Sequence, residues 1–274
     1  MLTVVIPAYN EANCIEQTLS EYEELVGDRL EVIVIPNGCD DNTADIVRNH
    51  FSNMRMVELT EGSKIAAINK GIELASHSHI MIQDADVVIS KSDVAKILAF
   101  IQTTVYLFAS PLTRVIEDSN FWVRKYYRFL KVTPAYRAGM VNSGVYLLSP
   151  KAIEKLGNLP RVIADDGYVK GVLGPENVTK INDCFSVVKT PKNLWSLIKI
   201  KTRSKLGNLE LKEKFVSPTT GKNGISSLFK IALKERMLSD FLVYISVTFL
   251  TLIRAKTQLN NARSITWERD ESTR

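Results

Sequence analysis

Short β-branched apolar runs alternate with helical periods over the first hundred residues. Leu2–Ile6, Leu30–Ile35, Met54–Leu59 and His79–Ile82 are apolar enough to predict strands. Between them Ile15, Leu19, Tyr22 and Val26, then Ala44, Val47 and Phe51, then Ile65, Ile68, Ile72 and Ala75 recur at helical spacing. Such alternation predicts an α/β fold with a mostly parallel sheet flanked by helices. Ligands of these sheets bind beyond the carboxyl ends of the strands, which singles out loops 8–13, 36–42, 60–64 and 83–89.

Later segments read differently. Phe121–Lys131 predicts a helix with Arg124, Arg128 and Lys131 on one stripe and Trp122, Tyr126 and Phe129 on another face. That pattern suits either a membrane interface with a lipid-phosphate acceptor or a packed helix with a solvated stripe. The apolar run Phe241–Ile253 is bounded by Asp240 and Arg254 and holds thirteen residues. A spanning helix needs roughly 20. The run therefore predicts no transmembrane helix, but an element that packs on the domain, mediates homo-oligomerisation or lies on a bilayer surface. The polar tail Thr266–Arg274 is expected to be mobile unless Trp267 anchors it.

Charge and cysteine usage narrow the picture. The net charge of +5 is uneven, because Lys189–Arg236 holds twelve Lys/Arg against three acidic residues. Phosphate groups of a nucleotide or a lipid headgroup would suit that region. Aromatics are too sparse between Lys199 and Lys214 to favour nucleic acid. Cys14, Cys39 and Cys184 are widely spaced and form no CxxC pair, so neither a zinc ribbon nor a disulfide framework is supported. His50, His77 and His79 have no ligand spacing with them or with each other. A reducing compartment fits, and the start Met1-Leu2-Thr3 lacks the basic and apolar regions of a secretory signal. The expected location is cytoplasmic, with peripheral contact at the cytoplasmic membrane face.

Candidate chemistry centres on Asp84-Ala85-Asp86, between the apolar runs His79–Ile82 and Val87–Ile89. On a strand, side chains two apart point the same way, so both carboxylates could face one divalent cation. A strand-end turn with solvated aspartates is the plain alternative. The first loop, Pro7-Ala8-Tyr9-Asn10-Glu11, has no glycine, and no GxxxxGK[ST] occurs, so neither usual glycine-rich phosphate cradle is present. A cation at Asp84 and Asp86, helped by basic side chains, could neutralise a diphosphate instead.

These residues resemble the family 2 inverting glycosyltransferases of the GT-A fold, bacterial polysaccharide enzymes among them, from Thr3 to about Gly207. Val5-Ile6-Pro7-Ala8-Tyr9-Asn10-Glu11 is similar to the opening strand and first nucleoside loop. Pro36-Asn37-Gly38-Cys39-Asp40-Asp41-Asn42-Thr43 is similar to the second, in which two aspartates usually precede Gly-Ser-Thr-Asp-Gly-Thr. Lys64 with Ala67–Gly71 matches the helix after the third strand, and Asp84-Ala85-Asp86 matches the DxD motif. Asn142-Ser143-Gly144 resembles the acceptor-side glycine loop that shapes the sugar pocket. Asp165-Asp166 sits where an acidic pair carries the base, and Arg203, four residues before Gly207, resembles the arginine of a QxxRWxxG-type motif. In that motif Ile200 replaces the glutamine and Ser204 the tryptophan, so Lys199, Lys201 and Lys205 compete with Arg203 for the role. Asn37 replaces a base-contacting aspartate, which weakens but does not remove the expectation of uridine.

The resemblance implies transfer of a sugar from a nucleotide-diphosphate donor to a saccharide or lipid-linked saccharide hydroxyl, with inversion and with Mn2+ or Mg2+ at Asp84 and Asp86. Pro7, Tyr9, Asn10, Glu11, Asn37, Lys64, Ala85 and Arg203 would bind the donor. Asp166 would be the base, with Asp165 as its neighbour or an acceptor contact. Transfer to a polyprenyl phosphate, already an anion, is one alternative, and a catalytically silent nucleotide-binding or assembly subunit is another. Trp195 is expected to pack on the basic segment. The expected organisation is a catalytic domain over 1–190, with a nucleotide-binding half to 110 and an acceptor half to 190, and a basic helical extension over 191–274.

Overall fold

The structure is a computed structural model that describes residues 1–139, 144–215 and 224–260. Asn142, Ser143 and the tail with Trp267 lie outside the described residues. The elements are β1 (Leu2–Ala8), α1 (Ile15–Ser20), β2 (Leu30–Pro36), α2 (Thr43–His50), β3 (Arg55–Met56), α3 (Lys64–Leu74), β4 (His79–Gln83), β5 (Val87–Ile89), α4 (Lys91–Thr103) and β6 (Phe108–Ile116). There follow α5 (Phe121–Val132), α6 (Pro134–Arg137), β7 (Val145–Leu148), α7 (Pro150–Leu156), α8 (Asp165–Leu173), β8 (Val178–Lys189), α9 (Leu194–Lys214), α10 (Ile225–Lys234) and α11 (Leu238–Asn260).

One mixed, mostly parallel sheet carries the fold, in the order β3-β2-β1-β4-β7-β6-β8-β5. β7 runs antiparallel to β4 and β6, and β5 runs antiparallel to β8. β1 is buried along its whole length because helices cover both faces of the sheet, which is why it reads as a continuous apolar run. Leu2, Val4 and Ile6 pack on one face with Leu19 and Val47, and Val5 packs on the other with Ile68. The strands expected in the first hundred residues are present, although the third shrinks to Arg55–Met56.

The helix α3 shows why its sequence docks where it does. Ser63 caps it by accepting from Ala66 N, and its buried face is Ile65, Ala67, Ile68 and Gly71. Gly71 faces β1 so closely that a Cβ there would fall 2.2 Å from Val5 Cγ1. The missing side chain lets helix and sheet approach.

Two expectations change. In α5 the buried residues are Val123, Tyr126, Tyr127, Phe129 and Leu130, whereas Trp122, in the first turn, is half exposed and not packed away with Tyr126 and Phe129. The apolar run in the C-terminal region also does not stop at its flanking charges. Asp240 faces Arg128 at 3.7 Å, and Arg254 lies over the Trp195 ring at 4.5 Å, so both charges are accommodated within one helix of 23 residues. By length and composition alone, its segment Leu238–Leu259, with mean hydropathy 1.5, is long and apolar enough to cross a membrane. The thirteen-residue estimate was too short. The same contact places Trp195 against a cation of α11.

Gly71→Ala is expected to lower the urea midpoint of unfolding, with a loss of about 1–3 kcal/mol from overpacking against Val5. An unchanged or higher midpoint would show that α3 can retreat from the sheet without cost.

Candidate active site

Beyond the carboxyl ends of β1, β2 and β4 lies a cavity of about 1150 Å³. Pro7, Tyr9, Asn10 and Glu11 line it from the loop after β1, Asn37 from the end of β2, Lys64 from α3 and Arg203 from α9. Asp84, Ala85 and Asp86 complete it. The donor-side residues singled out in the sequence therefore meet in one place.

Asp84-Ala85-Asp86 is a turn and not strand backbone, since β4 ends at Gln83 and β5 begins at Val87. Strand alternation is thus not what aligns the two carboxylates. The turn is fixed from beneath: Val87 N donates to Asp84 O at 3.1 Å, and Thr18 Oγ1 donates to Ala85 O at 2.7 Å. Gln83, fully buried, accepts from the Tyr22 hydroxyl and donates Nε2 to Val87 O at 2.8 Å. Asp84 N donates to Gly144 O at 2.9 Å, and Gly144 has φ +74°. A Cβ on Gly144 would fall 2.1 Å from Asp84 Oδ2, so this position needs glycine both for its backbone and for the carboxylate beside it.

Lys64 joins the turn to α8. Its Nζ lies 2.7 Å from Asp84 Oδ1 and 3.0 Å from Asp165 Oδ1. The Tyr146 hydroxyl donates to Asp165 Oδ2 at 2.9 Å, so both oxygens of this buried carboxylate are engaged. Burial opposes the charge on Lys64, but Asp165 and Asp84 outweigh it and hold the amine well above its ordinary range. Burial, reinforced by Asp86 and Asp165, pushes the Asp84 carboxyl up, against the pull of Lys64. Asp166, the next residue, points elsewhere and meets Lys170 at 3.2 Å.

The nucleoside side is built from hydrogen bonds between loops. Asn37 is buried; its Nδ2 donates to Ala8 O at 2.8 Å and to Ile35 O at 3.2 Å, and its Oδ1 accepts from Ser63 N at 3.0 Å. Both amide donors are consumed in holding β1, β2 and the start of α3 together. Asn10 has φ +54° and accepts from Asp40 N at 2.8 Å, while Glu11 N donates to Thr43 Oγ1 at 2.7 Å. The two loops that resemble nucleoside loops are thereby laced to each other.

The helix α9 supplies the cavity wall. Lys199 and Arg203, one turn apart, both line the cavity, whereas Lys201 lies over the Tyr126 and Tyr127 rings at 5.7 Å and burial pushes its amine down to about 8. Gly207 permits this placement, since a Cβ there would fall 2.9 Å from Ala164 Cβ. Glu210 accepts from Ile163 N at 2.9 Å and fixes the segment leading into α8. Asn69 exchanges two hydrogen bonds of 2.9 Å with the Leu159 backbone and anchors the same segment at its start. Arg161, Glu61 and Glu210 line the cavity but carried no signal in the sequence beyond their charge.

The donor set suits a hard cation only in part. Among the described residues no group of three His, Cys, Asp or Glu is gathered to hold a metal ion. Asp84 and Asp86 offer carboxylate oxygens, and Mg2+ or Mn2+ is commonly held by one or two carboxylates with water and substrate phosphates completing the shell. The pair fits an ion completed by a bound diphosphate, with Asp86 the carboxylate not tied to Lys64 in the described contacts.

Lys64→Met would leave Asp84 and Asp165 without the cation they share, a loss of roughly 3 kcal/mol. Burial already raises the Asp84 carboxyl above its unfolded value, and losing the amine raises it further, so the native state binds the extra proton. Stability is then greatest on the acid side and falls as pH rises through the native pKa. The melting deficit of this variant against the parent is expected to widen as pH rises from the acid range towards neutrality; a deficit that narrows would contradict the shared-cation arrangement.

The profile of glycosyl transferase family 2 matches residues 3–156, more than half of the chain. Poly-beta-1,6-N-acetyl-D-glucosamine synthase of Staphylococcus aureus (strain COL) is 36% identical over 93 residues, covering 33% of this chain and 23% of that protein. The Staphylococcus epidermidis protein of the same name is 36% identical over 92 residues, 32% of this chain and 22% of its own length. The match thus spans less than a quarter of these relatives. Among solved structures, the mannosyltransferase PcManGT from Pyrobaculum calidifontis, in complex with GDP-Man and Mn2+, superposes with a TM-score of 0.64 at 20% identity, covering 96% of this chain and 88% of that one. S. aureus TarS in complex with UDP-GlcNAc gives 0.55 at 12% identity, with 97% and 93% covered. Both share the fold, with its mixed, mostly parallel sheet and flanking helices. With the family profile running from β1 through β7 and the loops after β1, β2 and β4, the chain belongs to glycosyl transferase family 2.

Proposed function

We propose that this protein transfers a sugar from a nucleotide-diphosphate donor to the hydroxyl of a saccharide or lipid-linked saccharide, with inversion at the anomeric carbon. The observation that carries the reading is the position of Lys64, shared by Asp84 and Asp165 at the mouth of the strand ends. It puts a cation and two carboxylates where a departing diphosphate and an incoming hydroxyl would have to meet. The 36% identical segment of the staphylococcal synthases, and the nucleotide sugars bound to similarly folded enzymes, support the same substrate class.

The chemistry follows from charge. As the glycosidic bond to the phosphate lengthens, positive charge develops on the sugar ring and negative charge on the leaving oxygen. Lys64, Lys199 and Arg203 line the cavity and stabilise that oxygen. Bound at Asp86 and Asp84, Mn2+ or Mg2+ would add Lewis-acid stabilisation of the diphosphate. Asp165 is committed to Lys64 and Tyr146, a positioning arrangement. Asp166, whose carboxylate meets Lys170 at 3.2 Å, takes the acceptor proton. UDP-sugars are the favoured donors.

A nucleotide-release assay with UDP-, GDP- and dTDP-sugars tests the reading. Asp86→Ala, or chelation of divalent ions, is expected to lower turnover by at least ~100-fold, and Asp166→Asn by about 100- to 10,000-fold. Turnover that survives chelation and Asp86→Ala would remove the metal; turnover barely changed in Asp166→Asn would point to an acceptor that is already an anion, such as a polyprenyl phosphate. Failure to release nucleotide with any donor and acceptor would favour a silent binding subunit.

A further inference from the structure

We propose that the outer face of α10 and α11 docks on the surface of an anionic lipid bilayer. On α10, Leu228 and Ala232 are buried while Leu233 on the flanking face is exposed, as is part of Phe229, whose ring lies against that of Phe241 at 5.8 Å. On α11, Phe241, Val247 and Ala255 are buried, whereas Leu242 is 63% and Phe249 61% exposed. The helix is apolar around its circumference, yet only 28% of its apolar segment is buried by the rest of the protein. A helix of that kind needs a second apolar environment.

Charge selects the environment. Residues 225–260 hold five Lys/Arg and two acids. Both acids already face cations of the domain: Glu235 meets Arg137 at 3.4 Å and Asp240 meets Arg128 at 3.7 Å. Lys230 and Lys234 each follow an exposed apolar residue of α10, and Arg236 occupies the turn into α11 with φ +56°. An apolar row bordered by Lys230, Lys234 and Arg236, which form no salt bridge among the described residues, is complementary to acyl chains beneath anionic headgroups. Trp122 and Trp195 add half-exposed indoles, a residue type favoured at that boundary.

The packing argues for lying on the bilayer and against crossing it. The Tyr126 and Tyr244 rings stack at 5.1 Å and Phe129 meets Phe241 at 5.4 Å, holding α11 along α5. Surrounding α11 with lipid would strip these contacts. A second copy applied to the same face by a two-fold axis would bring the lysine rows of both copies together, with no acids to answer them.

Co-sedimentation of the full chain with phosphatidylcholine vesicles, with and without about a third phosphatidylglycerol, at low and high salt, tests the proposal. Binding is expected to the anionic vesicles and to weaken with salt. Replacing Lys230, Lys234 and Arg236 by Ser should lower partitioning to anionic vesicles roughly tenfold or more. Phe229→Ser combined with Leu242→Ser should lower it at every salt concentration. Circular dichroism melts establish that the variants fold, and a blue shift of tryptophan emission on adding anionic vesicles reads docking of the unaltered protein independently of any variant. The proposal is overturned if the parent chain stays in the supernatant with anionic vesicles at low salt, if neither variant changes its binding, or if the apolar variant only converts a dimer to a monomer. Vesicle binding without nucleotide release would leave it standing, and nucleotide release without vesicle binding would not.

Discussion

One amine holds the site together. Lys64 reaches from the first turn of α3 to two carboxylates that belong to distant parts of the chain, Asp84 after β4 and Asp165 at the start of α8, the latter 101 residues away in sequence. Taking either carboxylate out of water without a partner would be costly, and placing both together more so. The ion contacts therefore do two jobs at once. They make the approach of α8 to the DxD turn tolerable, and they leave a fixed positive charge at the place where the fold converges.

Close backbone approaches make that contact reachable. Gly71 lets α3 settle onto β1 and so sets the height of Lys64 above the sheet. Gly144 lets β7 begin beside Asp84, and β7 then delivers Tyr146 to the far oxygen of Asp165. Gly207 lets α9 press against Ala164, the residue before Asp165, which brings Lys199 and Arg203 to the cavity wall. In each case the absent side chain is a condition for the charge placed next to it.

Much of the N-terminal half, where a nucleotide-binding half was expected, was legible because its signals are local. β1, β2 and β4 are continuous apolar runs, and the loops after them are where a parallel sheet exposes its strand ends. The acceptor half was less so. The insertion of antiparallel β7 between β4 and β6, and the pairing of β5 with β8, rest on contacts between segments far apart in sequence, which no local period encodes. Arg161 and Glu210 read as ordinary surface charges until α9, which carries Glu210, packs against the segment leading into α8. The length of α11 was misread for a related reason: Asp240 and Arg254 look like the ends of an apolar helix only while their partners Arg128 and Trp195 are out of view.

Asn37 shows how a substitution within a family pattern can change a residue's occupation without changing its place. It lines the cavity where an aspartate is expected to read the base, but its amide nitrogen donates to two backbone carbonyls, Ala8 O and Ile35 O. A carboxylate has no proton to give either of them and would face both oxygens with negative charge. The arrangement of strand ends in this chain is therefore specific to an amide, and only the oxygen that accepts from Ser63 N retains a lone pair to offer a ligand. Gly62 lies against the Tyr9 ring, where a Cβ would fall 3.4 Å from Tyr9 Cε2, and this stretch of the cavity lining is held by the same Asn37 amide that ties the loops on either side.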